Sequence, residues 1–380
     1  MKFKTIALAM MMALAFNACS GDDDDDVQPA DQEQEDKTDD GNSNADTNSM
    51  SKYDLNAPLG WATVDGTVTG GEGGTEVTVT TKDELMSVLT TKANKSTKMI
   101  IYVKGTLTFT GLEKVKEVSD KTIIGLDGAT LTNPTHTDNA DKTGILSFSS
   151  CSNIIIRNLT FKAAGAYDID GNDNLELQNC QRVWVDHCDF QDGVDGNFDC
   201  NNGSDYVCVT WCRFRYLIEP WAGGSGGSDA HCFSNLWGGS DTNAKDPGHL
   251  NTTFANCWWD EGCIERMPRV RFGQIHVVNC LYSSTATKYC LGLGYKANIY
   301  VENSAFTSDA AKKNPYKEQG SKTDHAITFT GCEGVDDMTL SDGTVSGFFT
   351  PSDYYTYTAF SASEVETELK TYAGQTLSFK

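Results

Sequence analysis

A four-residue pattern recurs along this chain and constrains its fold more than any other feature. It reads Asn158-Leu-Thr-Phe161, His187-Cys-Asp-Phe190, Trp211-Cys-Arg-Phe214, Asn256-Cys-Trp-Trp259, Asn279-Cys-Leu-Tyr282 and Asn303-Ser-Ala-Phe306. Apart from one gap of about 45, the copies lie roughly 23 to 29 residues apart, the period of a stacked solenoid in which each copy is one coil. A β-branched or aromatic run precedes the copies, as in Ile154-Ile155-Ile156, Val183-Trp184-Val185 and Ile299-Tyr300-Val301. Each coil therefore contains a strand followed by a turn, and successive strands lie parallel. The expected fold is all-β, a right-handed single-stranded parallel β-helix.

Stacking has consequences for side chains. It aligns the Asn residues in an amide ladder at the turn, the cysteines Cys188, Cys212, Cys257 and Cys280 in a second column, and the aromatic residues in a third. These cysteines read as small core residues carrying free thiols, although 13 Cys in an exported chain would ordinarily suggest disulfides. The gap from about Tyr216 to Leu250 is Gly-rich and aperiodic, which predicts a loop thrown out of one coil. Thr81-Lys-Asp-Glu84 and Ser361-Ala-Ser-Glu364 are capping boxes, predicting short helices that cover both ends of the solenoid.

Ahead of the repeats, Met1-Lys2-Phe3-Lys4, the apolar run Ile6 to Phe16 and Ala18-Cys19 read as an export signal over residues 1–18 with Cys19 as the lipidation site. Residues 19–54 begin with the acidic run Asp22 to Asp26 and hold too little apolar surface to fold, so they read as a solvated tether. Residues 55–380 form the single folded domain. The expectation is an exported protein, lipid-anchored to the outer membrane and exposed at the cell surface, touching membrane only through its lipid. The net charge of −23 argues against nucleic acid as a partner, and an acidic substrate would need a bridging cation. A monomer is expected.

Several segments converge on a family. Gly70-Gly71, Thr122-Ile123-Ile124-Gly125, Val183-Trp184-Val185-Asp186-His187, Asp195-Gly-Asn-Phe-Asp199 with Gly203-Ser204-Asp205-Tyr206, and Arg266-Met-Pro-Arg-Val-Arg271-Phe-Gly273 resemble, in order, the motifs of polysaccharide lyase family one, the calcium-dependent pectate lyases. The residues alone already place Asp173 before one strand and Asp195 and Asp199 about the next, an oxygen-only set that suits a hard cation better than zinc. The resemblance implies that Asp173, Asp195 and Asp199 hold Ca2+, that Arg266 is the base removing the C5 proton of a galacturonate ring, and that Arg271 binds substrate carboxylate. Arg269, next to both, is a further expected substrate contact, since rigid guanidinium forks grip carboxylates.

The implied activity is β-elimination of de-esterified homogalacturonan (polygalacturonate), giving oligogalacturonides with a 4,5-unsaturated end. The alternatives are a pectin lyase, a polygalacturonase using Asp192 with Asp195, and a surface lipoprotein that only binds pectic glycan. Asp186-His187 reads as structural because it shares the turn column. One departure from the family stands out: the lysine that often precedes a Leu-x-Gly-x-Ser-Asp segment is absent before Leu236-Trp-Gly-Gly-Ser240-Asp241, where His231-Cys-Phe-Ser-Asn235 stands instead. Lys245, Arg213, Arg215 and His231 are the candidate substitutes.

Overall fold

A computed structural model describes residues 50–320, 324–342, 345 and 347–379. Cys19, the export signal and most of the expected tether lie outside them. Most coils contribute three short strands rather than one, and these stack into sheet A of eleven strands and sheets B and C of eight each. Pairing is parallel throughout, except that Met338–Ser341 closes sheet A antiparallel to Ala326–Thr330. The sequence repeat marks only the corner between sheets A and B, which is why the other two strands of each coil left no signal of their own.

That corner explains the motif. Asn158, His187, Trp211, Asn256, Asn279 and Asn303 all sit in the left-handed region, at φ between 44° and 57°. Asn is the side chain that tolerates this conformation best after glycine. The expected amide ladder is not what the side chains make. Asn158 and Asn279 bond the backbone of Leu377 and Phe360, and Asn303 also donates to the Phe360 carbonyl. The column is therefore a docking strip for the C-terminal segment.

Inside the solenoid the aromatic column forms as expected. Phe161, Phe190, Phe214, Trp259, Tyr282 and Phe306 stack with consecutive centroids 4.5 to 5.5 Å apart. Cys188, Cys212, Cys257 and Cys280 are buried free thiols, and no disulfide occurs among the described residues. Burial pushes the Cys188, Cys212 and Cys257 thiols well up, so they are inert packing groups.

Helix α1, Lys82–Thr90, starts at the expected cap, where Thr81 accepts from the Glu84 amide, and it buries Leu85 and Leu89 in the core. A short helix α2 spans Asp309–Lys313. Helix α3, Ala362–Tyr372, starts at Ser361. It packs Val365 and Leu369 on Trp211, Trp258 and Leu281, along the flank of the A–B corner. The body also begins before residue 55: Ser51 is buried, Tyr53 stacks on Phe360 at 4.1 Å, and its hydroxyl donates to Glu364.

The stretch from Tyr216 to Leu250 is not one excursion. Leu236–Trp237 is a strand of sheet C, paired with the strands Phe198–Asn201 and Arg269–Val270, so two enlarged loops flank it. Two residues are too short a strand to show a period. The first joins sheet B to sheet C, and the second joins sheet C to the next strand of sheet A.

Candidate active site

Parallel register sets the floor of the site. Ser147, Glu176 and Asp199 are in register on successive coils of sheet C, and Leu236, Arg269, Gly292 and Lys317 continue the outer face one coil at a time. With about 4.8 Å between strands, acidic residues thus give way to basic ones along one face over a few coils.

Asp173 lies just before the strand Leu175–Gln178 and is almost fully buried, and its Oδ1 has no hydrogen-bond partner. A Cβ on Gly196 would come within 2.5 Å of that oxygen, so glycine there leaves room for the carboxylate. Burial first, and then the charges of Asp199, Asp195 and Glu176, raise Asp173 well above the usual carboxylate range, with Arg266 pulling the other way. Asp199 accepts from the Leu236 amide at 2.8 Å. Burial above all, opposed by that bond and reinforced by Asp195, takes it up to about 8.

An orphaned buried oxygen among mutually repelling carboxylates is what a divalent cation would satisfy, and beside these oxygen donors stands one nitrogen, His231 Nε2. The charges of Asp195 and Asp199 both act on Asp173, but the group whose ligand atoms all lie within 4.8 Å of one another among the described residues is Asp168, Asp195 and His231. Glu176 also acts on Asp173 and was missed. It lies 23 residues before Asp199, one coil back, and that spacing is the signal that would have found it.

Arg266 has its backbone at φ 59°, and its carbonyl accepts from the Asn235 amide at 2.7 Å. Its guanidinium lies over Phe233, 4.5 Å from the ring centroid, and its Nε is buried without a partner. It forms no ion pair with Glu261 or Glu265. Arg269 folds over Gly292, with its Nε unpaired, and burial followed by repulsion from Arg271 lowers its proton affinity. Arg271 is already engaged: Nε donates to Asp241 at 2.8 Å and Nη1 to the Gly238 carbonyl at 2.7 Å.

Of the four candidate substitutes for the lysine, His231 alone sits by the acidic group. Its Nδ1 lies 3.2 Å from Asp168 and its Nε2 3.3 Å from Asp195, on opposite sides of the ring. Arg213 and Arg215 pair with Asp260 and Asp189. Asp192 anchors the next loop by accepting from the amides of Leu217 and Ile218 at 2.6 and 2.9 Å. Asp186 and His187 are buried at the A–B corner, where Asp186 binds Arg157 and Thr210 at 2.6 Å each.

A family model described as pectate lyase matches residues 48–378. The probable pectate lyase B of Aspergillus terreus is 31% identical over 339 residues, covering 84% of this chain and 89% of that protein. The pectate trisaccharide-lyase of Thermotoga maritima is 32% identical over 243 residues, 60% of this chain and 57% of its own. A solved pectate lyase bound to a hexasaccharide superposes with a TM-score of 0.67 at 21% identity, covering 88% of this chain and all of that one. A Bacillus subtilis pectate lyase variant gives 0.65 at 21% identity, over 85% of this chain. The structural likenesses establish the parallel β-helix.

Proposed function

The chain belongs to the pectate lyase family, and from that premise we propose that it cleaves de-esterified homogalacturonan by calcium-dependent β-elimination with Arg266 as base. The observation that carries this reading is an unpaired guanidinium beside an uncompensated carboxylate group: Arg266 acts electrostatically on both Asp173 and Asp199, yet no ion pair of it occurs among the described residues.

Asp173, Asp195 and Asp199 would hold the calcium, with Glu176 adding to the negative field. Held there, calcium would draw charge from the substrate carboxylate and so acidify the adjacent C5. Arg266, fixed by its backbone turn and by Phe233, takes the C5 proton. The electron pair left on C5 becomes the C4–C5 double bond as the C4–oxygen bond breaks, the departing oxygen takes up a proton from solvent, and no water is added. The ring of Phe233 attracts the guanidinium and holds it in place, with Arg269 as a neighbouring cation. Arg269 and Arg271 bind substrate carboxylates, Arg271 through the amine left free by Asp241 and Gly238.

Asp192 is fully buried with its Oδ1 held by two loop amides, which withdraws it from substrate as a hydrolase's second carboxylate. A pectin lyase reading leaves Asp173 and Asp199 without a counter-charge. We further propose export and lipid anchoring through Cys19, with the acidic segment as tether and the protein a monomer. Mass spectrometry of the products separates the reactions: elimination yields oligomers lighter by one water than those of hydrolysis.

A further inference from the structure

Three rings stand on the loops beside the acidic group, and the reaction above uses none of them. His136 stacks on Trp221 with centroids 3.9 Å and planes 25° apart, and lies 5.1 Å from the ring of Tyr167. Trp221 is 41% exposed, one of few large apolar side chains left open among the described residues. It is nevertheless held. Its Nε1 donates to the Ala164 carbonyl at 3.0 Å, and its backbone amide donates to Ala166 at 2.8 Å. A ring fixed before binding has already lost the freedom that a ligand would otherwise have to remove.

The rings are continuous with the site. Tyr167 precedes Asp168, whose Oδ2 accepts from the Ser228 amide at 2.7 Å. Gly226 lies so close to that carboxylate that a Cβ would come within 2.0 Å of Oδ1. Asp168 in turn faces His231, and His231 faces Asp195. The loop carrying Trp221 is thus tied through two side chains to a proposed calcium ligand.

Flat aromatic faces take apolar ring faces, among them the C–H face of a pyranose. Charge decides which pyranose. The charged residues closest in sequence to the three rings are Asp138, Asp168 and Glu219, all acidic. No Lys or Arg lies over any of the three rings among the described residues. Arg269 and Lys317 lie beyond Asp199 in the opposite direction along sheet C. Lys114 stands in register with Ser147 on that face, but a free uronate would find no cation among the described residues stacked on the rings themselves.

We propose that His136, Tyr167 and Trp221 form a subsite for an uncharged pyranose ring of the bound glycan, remote from the bond that is cleaved. This rests on the glycan-cleaving reading. It makes a methyl-esterified or neutral unit at that distance a preferred feature rather than an obstacle.

The test is calorimetric binding, in calcium, of partially methyl-esterified and fully de-esterified galacturonate hexamers to Arg266→Ala protein with and without Trp221→Ala. The expected result is about tenfold weaker binding of the esterified hexamer and less than twofold change for the other, with Trp221→Tyr restoring most of the loss. No loss with either hexamer overturns the subsite. Equal loss with both does so too, because it reports disturbance of the Asp168 loop. Should Trp221→Ala fail to fold, Trp221→Tyr against His136→Ala makes the same comparison. Elimination by the wild-type protein is scored separately: selective binding without any elimination refutes the lyase reading and keeps the subsite.

Discussion

Arg266 rests on Phe233, its guanidinium carbon 4.5 Å from the ring centroid, and Phe233 comes from the segment where the family often carries a lysine. The side chain that departs from the pattern thus supports the proposed base. Phe233→Ala should leave the fold intact and lower kcat more than it raises KM, by about tenfold if the ring is worth about 1 kcal/mol or somewhat more in aligning the cation. A kcat unchanged in steady-state kinetics would show that the contact is incidental.

Carboxylates crowded for a cation cost stability when the cation is missing. At alkaline pH, where Asp173 must ionise, Asp173→Asn should raise the melting temperature of chelator-treated protein, because it removes a repelling charge from a buried site. The same substitution should weaken calcium binding by at least about tenfold. Thermal melts with chelator and with calcium read both effects, and a variant that melts lower in chelator at that pH would contradict the account.

The pH dependence has a definite sign. Asp173 and Asp199 hold protons in the fold that the unfolded chain gives up, so their folded-state affinities lie above the ordinary value of 3.8, at about 8 for Asp199. Their contribution is fully present below pH 4 and is lost as the pH rises toward 8. The metal-free protein should therefore lose stability from these groups across that window, and the thermal shift produced by calcium should grow over it. A calcium shift that shrinks between pH 5 and 8 would refute the assignment.

Asp186 and His187 form a structural pair. Burial alone would raise Asp186, but His187 and Arg157 beside it hold it below its usual value. That stability is present above the unfolded carboxylate range and disappears as pH falls through the folded one. Asp186→Ala should cost about 3 kcal/mol by stranding the largely enclosed Arg157, with KM unchanged in the soluble fraction. His187→Asn should fold and remain active, since Asn suits the left-handed turn at φ 47°.

What the sequence made legible follows from repetition. Phe190, Phe214 and Trp259 could be placed in one column because each coil repeats the corner between sheets A and B, and a left-handed turn imposes a strict residue choice there. Leu236–Trp237 was lost inside a supposed loop because two residues carry no period. Asp173, Asp195 and Asp199 were singled out through motifs. Glu176 and Asp168 were not, because what joins them to the site is the stacking of coils and the fold of one long loop onto another.

Ultraviolet absorbance during incubation with polygalacturonate tests the central claim most directly, comparing wild-type residues 50–380 in calcium, the same protein in chelator, and Arg266→Ala in calcium. The account predicts growth of the unsaturated product in the first case only, with the variant down by at least about a thousandfold while melting normally and still binding calcium. Undiminished elimination by folded Arg266→Ala, or elimination that persists in chelator, would contradict it.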